Sequence, residues 1–203
     1  MGLVFPSHVL PRVFCLVSGD DELAILPALV AAGITGFQVR DKDATTRALI
    51  ALTRRVRELV GDACLIVDDR VDVALAARAD GVHLGADDLP VETARRLGPD
   101  LVIGATCRSR TNLEAARAAG ADYAGFGPVR ATTSKAGLPA PLGVDAIADV
   151  VDTGLPIIAI GGIDAATAAS ARAAGAHGVA VIGSIWRHPD PVRAAKELVA
   201  AVG

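Results

Sequence analysis

The chain has 203 residues, a length that suits one domain or at most two small ones. Hydrophobic residues make up 52% of it and aromatics only 3%, so Ala, Val, Leu and Ile have to build the core. A net charge of −3 with so few rings argues against a nucleic-acid partner, and no apolar run approaches the roughly 18 residues of a membrane helix.

In chain order, the stretch from Met1 to Pro11 lacks a basic start followed by a continuous apolar run, so it does not read as a signal peptide. After it, short β-branched runs alternate with Ala-rich helical stretches. Strands are expected near 12–18, 34–40, 64–68, 81–85, 101–105, 121–127, 156–161 and 178–182. Helices are expected near 21–32, 45–60, 70–79, 89–97, 110–119, 143–152, 164–174 and 189–201. The junctions repeat: Ala31-Ala32-Gly33, Ala76 to Gly81, Ala118-Ala119-Gly120 and Ala173-Ala174-Gly175 each precede a strand, and their glycines suit helix C-caps. The alternation implies a parallel sheet with helices packed outside it. An open doubly wound sheet would show GxGxxG after the first strand, where this chain has Val17-Ser18-Gly19-Asp20-Asp21. The expected fold is therefore α/β, a single (β/α)8 TIM barrel over residues 1–203, with chemistry at the C-terminal strand ends.

The first strand end with unusual polarity is Gln38-Val39-Arg40-Asp41-Lys42. Alternation puts Gln38, Arg40 and Lys42 on one face, with Phe37 and Val39 on the other. An Arg fork in a barrel mouth suits a phosphate or pyrophosphate; a solvated surface turn is the plainer alternative. Strand three ends Val67-Asp68-Asp69-Arg70 and strand four ends His83-Leu84-Gly85-Ala86-Asp87-Asp88. Neighbouring strands bring these carboxylates together, as hard oxygen ligands for Mg²⁺. Against that, Asp88 also suits a helix N-cap, Asp69-Arg70 a local ion pair, and His83 an inward-facing barrel side chain.

Strand five ends Gly104-Ala105-Thr106-Cys107-Arg108, where a hydroxyl and a guanidinium could meet an anion. Cys107 has no evident His partner and is given no nucleophilic role. The three cysteines are odd in number and lack zinc spacing, which suits buried residues of a cytoplasmic protein. The longest loop, Pro128 to Leu142, carries Thr132, Thr133, Ser134 and Lys135, the composition of a phosphate-binding lid or of an ordinary solvated loop. Strand seven ends Ile160-Gly161-Gly162-Ile163 and strand eight Val181-Ile182-Gly183-Ser184. Loops after strands seven and eight are the usual phosphate site of this barrel.

Taken together, Gln38 to Lys42, Val67 to Arg70, Asp80 to Gly85, Ala121 through Pro128, Thr132 to Lys135, Ile160 to Ile163 and Gly178 to Ile185 resemble the thiamine phosphate synthase and thiazole tautomerase superfamily. The resemblance covers nearly the whole chain in order. It implies a synthase that joins an aminopyrimidine methyl pyrophosphate to a thiazole ethyl phosphate, or its carboxylated form, and releases pyrophosphate. It implies that Gln38, Arg40 and Lys42 bind the pyrimidine pyrophosphate, with Asp68, Thr106 and Lys135 beside it. Asp69 and Asp88 would hold Mg²⁺, Thr132 and Ser134 the thiazole phosphate, with backbone at Gly162, Ile182 and Gly183. Arg40 and Lys135 would be the catalytic cations. The implied partners are these small molecules, with homo-oligomerisation left open.

Four positions depart from the pattern the resemblance carries. Asp68 stands where Asn is usual, Ala86 where Gln is common, Arg108 where His is frequent, and Gly183 where Ser is common. Asp68 should weaken pyrophosphate binding unless Mg²⁺ or Arg108 offsets its charge. Two other readings remain: a metal-independent thiazole tautomerase, which needs an acid–base His near Arg108, and a barrel that binds a phosphorylated ligand without turnover.

Overall fold

The short β-branched runs become strands because each is too brief for a helix and is buried on both faces. They are β1 (Val13–Val17), β2 (Gly36–Val39), β3 (Cys64–Asp68), β4 (Gly81–Leu84), β5 (Val102–Cys107), β6 (Tyr123–Phe126), β7 (Ile157–Ile160) and β8 (Gly178–Val181). All pair parallel in chain order, and β8 pairs with β1 to close the barrel. The computed structural model describes residues 10–133, 137 and 139–203. Around the barrel lie α1 (Leu26–Ala31), α2 (Thr46–Val60), α3 (Val71–Ala77), α4 (Val91–Leu97), α5 (Arg110–Ala118), α6 (Ala165–Ala173), α7 (Gly183–Trp186) and α8 (Pro191–Val202). The architecture is the (β/α)8 barrel that the alternation implies.

Local chemistry sets the helix ends. Thr45, Ser109, Asp164 and Asp190 cap α2, α5, α6 and α8 by accepting from a backbone N–H three residues on. Gly33, Gly120 and Gly175 follow α1, α5 and α6 with positive φ, as expected of C-cap glycines. After α3 that role falls to Arg78, at φ 57°, while Gly81 opens β4 instead. Gly81 is needed there because a Cβ would lie 2.2 Å from the Val102 carbonyl oxygen.

Two stretches differ from expectation. Residues 21–32 split into a 3₁₀ turn, Leu23–Ile25, and α1, because Pro27 fits only a first helical turn. Residues 143–152 form two 3₁₀ turns, Asp145–Ile147 and Val151–Thr153, rather than an α-helix. The buried residues there are Ile147, Val150 and Thr153, spaced by three, which is the 3₁₀ repeat.

The core has two parts. A large cluster between strands and helices includes Phe37, Val39, Leu65 and Val67. A smaller one, with Phe14, Ile66, Val102, Tyr123 and Ile158, fills the barrel interior. Phe14 and Tyr123 stack there with centroids 5.7 Å apart. Inward-facing glycines make the room. A Cβ on Gly104 would sit 2.2 Å from the Tyr123 ring and 2.5 Å from His83 Nδ1.

The N-terminal face carries a repeated latch. Arg57, in the last turn of α2, donates to the carbonyls of Gly61 and Ala63 and to Asp80 Oδ2, at 2.6, 2.7 and 2.5 Å. Asp80 Oδ2 in turn accepts from the Leu65 N–H. Arg95, in the last turn of α4, repeats this with Pro99, Leu101 and Asp122, and Asp122 Oδ2 accepts from the Ile103 N–H.

Gly104→Ala is expected to lower stability by about 1–3 kcal/mol, the range for overpacking a full core. Urea denaturation of the two proteins measures it, and an unchanged midpoint would contradict a filled interior.

Candidate functional site

At the C-terminal rim, strand alternation points Gln38 and Arg40 of the β2 end inward, while Phe37 and Val39 join the outer core. Gln38 is buried and donates from Nε2 to Asp68 Oδ1. Arg40 Nη1 donates to Asp68 Oδ2 at 2.5 Å and lies 3.4 Å from Asp69 Oδ2. Lys42 Nζ is 3.3 Å from the same Asp69 oxygen. Burial pushes the Asp68 carboxyl above the usual range, against the pull of His83 and Arg40. The charge of Asp68 is thus met by Arg40 rather than by Arg108. Arg108 instead donates to the carbonyls of Gly127 and Ala140, both at 2.8 Å, and ties β5 to the following long loop.

Asp69 has φ 65°, a left-handed backbone that Asp tolerates better than most residues. Its N–H donates to the His83 carbonyl at 2.8 Å, which seats the β3 end on β4. The Asp69 and Asp88 carboxyls lie close enough to shift one another's protonation. Burial opposes charge on Asp69, yet the neighbouring Asp88 carboxyl, Arg40 and Lys42 outweigh it and hold Asp69 below the ordinary value. Burial and the Asp69 charge push Asp88 upward, against the Gly85 N–H and Lys42. Asp88 does not cap a helix: Pro90 takes the N-cap place of α4, and Asp88 Oδ2 accepts from the Gly85 N–H at 2.6 Å.

Two neighbouring carboxyls at adjacent strand ends are a donor set suited to a hard divalent cation. Among the described residues no group of three or more His, Cys, Asp or Glu is placed to hold a metal. The pair would therefore depend on water or ligand oxygens to complete a shell, as Mg²⁺ commonly does.

Beneath the charged layer, His83 lies inside the barrel. Its Nδ1 bonds the Tyr123 hydroxyl at 3.1 Å and its Nε2 bonds Thr106 Oγ1 at 3.0 Å. Thr106 is thereby fixed at the rim. Burial pushes the Cys107 thiol up to about 11, which leaves almost no thiolate at neutral pH.

The opposite rim is built from backbone. Val129 and Arg130 N–H groups donate to the carbonyls of Ile160 and Gly161, at 2.9 and 3.1 Å. Gly162 has φ 66°, and a Cβ there would lie 2.5 Å from the Ala131 carbonyl oxygen. This close approach brings the segment leading to Thr132 against Gly162. Ile182 and Gly183 begin the short helix α7. One turn on, Arg187 Nη1 donates to Thr133 Oγ1 at 2.8 Å and its guanidinium lies over Gly183. Arg187 is not evident from sequence; its only signal is a spacing of four from Gly183. Ser134 and Lys135 lie outside the described residues.

Fold and site together define a (β/α)8 barrel whose mouth sets an acid pair and cations on one side and glycine-rich backbone on the other. The model of the thiamine monophosphate synthase family matches residues 9–185. The chain is 48% identical to the thiamine biosynthesis bifunctional protein ThiM/ThiE of Symbiobacterium thermophilum, over 92% of this chain and 40% of that protein. It is 45% identical to the thiamine-phosphate synthase of Anaeromyxobacter dehalogenans, over 93% of this chain and 86% of that one. The solved thiamine phosphate pyrophosphorylase of Pyrococcus furiosus superposes with a TM-score of 0.85 at 34% identity, covering 94% of this chain and 95% of that one. The chain belongs to the thiamine monophosphate synthase family.

The acid pair yields a pH prediction. The folded pKa of Asp88 is raised, so its contribution to stability is complete below the unfolded value of about 3.9 and is lost as pH rises through the folded value. Asp88→Asn should therefore stabilise the metal-free protein above that folded value and change little below about pH 4. Denaturation midpoints across a pH series, with chelator present, test this; a gain confined to acid pH would contradict it.

Proposed function

We propose that the mouth joins an aminopyrimidine methyl pyrophosphate to a thiazole ethyl phosphate, giving thiamine phosphate and pyrophosphate, with Mg²⁺ held by Asp69 and Asp88. The observation that carries this reading is the Asp69–Asp88 pair, flanked by Arg40 and Lys42 on adjacent strand ends. Membership of the family supports it.

The carbon–oxygen bond to pyrophosphate breaks with its electron pair leaving on the anion, and the thiazole nitrogen lone pair forms the new carbon–nitrogen bond. No proton need move, so neither a general base nor a nucleophilic side chain is required; Cys107 with its raised thiol pKa offers none. Asp69 and Asp88 would hold Mg²⁺, whose charge would offset the negative charge that develops on the departing pyrophosphate. Arg40 and Lys42 add fixed donors on the same side, stronger at the departing anion than at the ground state. Gln38 and Asp68 hold the Arg40 fork in place. Thr106, set by His83, faces the pyrophosphate, and the family resemblance assigns Lys135 to the same anion. Gly162, Ile182 and Gly183 offer backbone N–H groups to the thiazole phosphate, to which the family resemblance also assigns Thr132 and Ser134. Arg187, over Gly183, supplies a cation where the family commonly has a Ser hydroxyl. The tautomerase reading fares worse: it needs an acid–base group near Arg108, whose guanidinium is spent on two carbonyls.

Purified chain given both substrates should form thiamine phosphate with Mg²⁺ and lose the activity in chelator. Asp69→Ala should lower kcat/KM by about 10³-fold or more, the scale of losing an electrostatic stabiliser of the leaving group. A protein that makes no product with Mg²⁺ present sinks the proposal. A second variant tests the clamp. Asp68→Asn removes the anion that competes for Arg40, so KM for the pyrimidine pyrophosphate should fall by about tenfold, the worth of one charge-assisted hydrogen bond. Steady-state kinetics on that substrate reads it, and a raised KM would show instead that Asp68 is needed to aim Arg40.

A further inference from the structure

The latch on the N-terminal face is incomplete at the seam where β8 meets β1. In its two complete copies, a last-turn arginine binds the carbonyl four residues on and a carboxylate that precedes the strand after next, Asp80 before β4 and Asp122 before β6. Arg172, in the last turn of α6, begins the same pattern. Its Nη1 donates to the carbonyls of Ala176, four residues on, and His177. Its Nε donates to the Val202 carbonyl at 3.1 Å. The strand after next from α6 is β1, and the residue before β1 is Arg12. An arginine therefore stands where the other two latches have aspartate. The Val179 N–H, equivalent to those of Leu65 and Ile103, goes to the Arg12 backbone carbonyl at 2.8 Å instead of to a carboxylate.

The substitution gathers positive charge without a counter-charge. Arg12 Nη1 lies 3.5 Å from the His177 carbonyl oxygen, so the two guanidiniums converge on one backbone atom. His177 Nε2 donates to the Leu10 carbonyl at 2.8 Å, which fixes the ring beside them. Neither Arg12 nor Arg172 makes an ion pair with an acid among the described residues. The acid next to Val151, Asp152, is taken by Arg110 at 2.7 Å. These groups line an open cavity of about 420 Å³ together with Gly154, Pro156 and Gly175. Like cations held this close repel one another unless an anion joins them.

We propose that this cavity binds a small phosphate-class oxyanion between Arg12, Arg172 and His177, on the barrel face opposite the mouth. The anion takes the place that Asp80 and Asp122 occupy in the complete latches. Because Arg172 also holds the Val202 carbonyl and Arg12 opens β1, the bound anion ties α6, the end of α8 and the first strand together. It acts as an exchangeable staple on barrel closure, and binding to the folded state alone raises stability by mass action.

Inorganic phosphate added to the full chain tests this, with the His177 ring signal followed by NMR. A saturable shift of that signal is expected. In Arg12→Gln the affinity read at His177 should fall by about tenfold or more, the effect of losing one charged hydrogen-bond donor. Arg12→Asp restores the latch in cis, so it should raise the phosphate-free Tm and abolish the His177 response. Unchanged far-UV circular dichroism in both variants certifies the fold. A His177 signal indifferent to phosphate, a response equal in all three proteins, or phosphate shifts confined to His83 overturns the proposal. A response that vanishes on dilution of the protein assigns the cavity to a contact between copies and overturns it as well.

Discussion

Closing eight parallel strands leaves an interior wide enough for side chains and for little else, and filling it without a void governs what the rest of the molecule can do. This chain meets that limit by pairing large residues with absent ones. Phe14 and Tyr123 stack across the lower interior, and Gly36, Gly104 and Gly125 leave the space that these rings and His83 occupy. The plug is apolar at its base and polar at its top. The Tyr123 hydroxyl and Thr106 bond the two nitrogens of His83, so the imidazole is satisfied although it is buried. Above it the charged layer begins. The packing that closes the barrel therefore also supplies the floor of its mouth.

That floor explains why the mouth can concentrate charge. Gln38 and Asp68 are both buried, and each would be costly alone. Bonded to one another and to Arg40, they form a clamp that aims a guanidinium along the rim. Asp69, in its left-handed backbone, turns its carboxyl toward Asp88 in the loop after the neighbouring strand. The opposite rim achieves close approach by a different means: Gly161 and Gly162, both with positive φ, let the backbone after β6 pack directly on the end of β7. On the N-terminal face, arginine–aspartate latches hold helix ends to strand starts.

Most of the fold was legible in the sequence, because a doubly buried parallel strand leaves a plain trace of β-branched residues between an Ala-rich helix and a polar end. The stretch after β6 misled for a definite reason: Ile147 and Val150 are three apart, a spacing shared by α and 3₁₀ helices, and only packing separates the two. In the site, Gln38, Arg40, Asp69 and Asp88 could be picked out because strand alternation and neighbouring strand ends fix their meeting. The direction of Arg108 could not, since its partners lie 19 and 32 residues away across a loop whose path has no local signal. Nor could the role of Asp68 as clamp, which exists only once β2 and β3 pair. Arg187 leaves no trace in the sequence, because α7 is a single turn after β8 with no periodicity to mark it.

The protonation of the mouth follows from the same geometry. Asp68, Asp69 and Asp88 put three carboxyls beside two cations, Arg40 and Lys42. Burial, with the surplus of carboxyls beside it, pushes Asp68 and Asp88 upward, while Asp69 is held low. In the proposed reaction a divalent cation would turn the rim from slightly acidic to basic, in step with the arrival of a pyrophosphate. An Asn in place of Asp68 would leave the rim neutral from the start. In that proposed reaction the aspartate would make attraction for the anion depend on the metal.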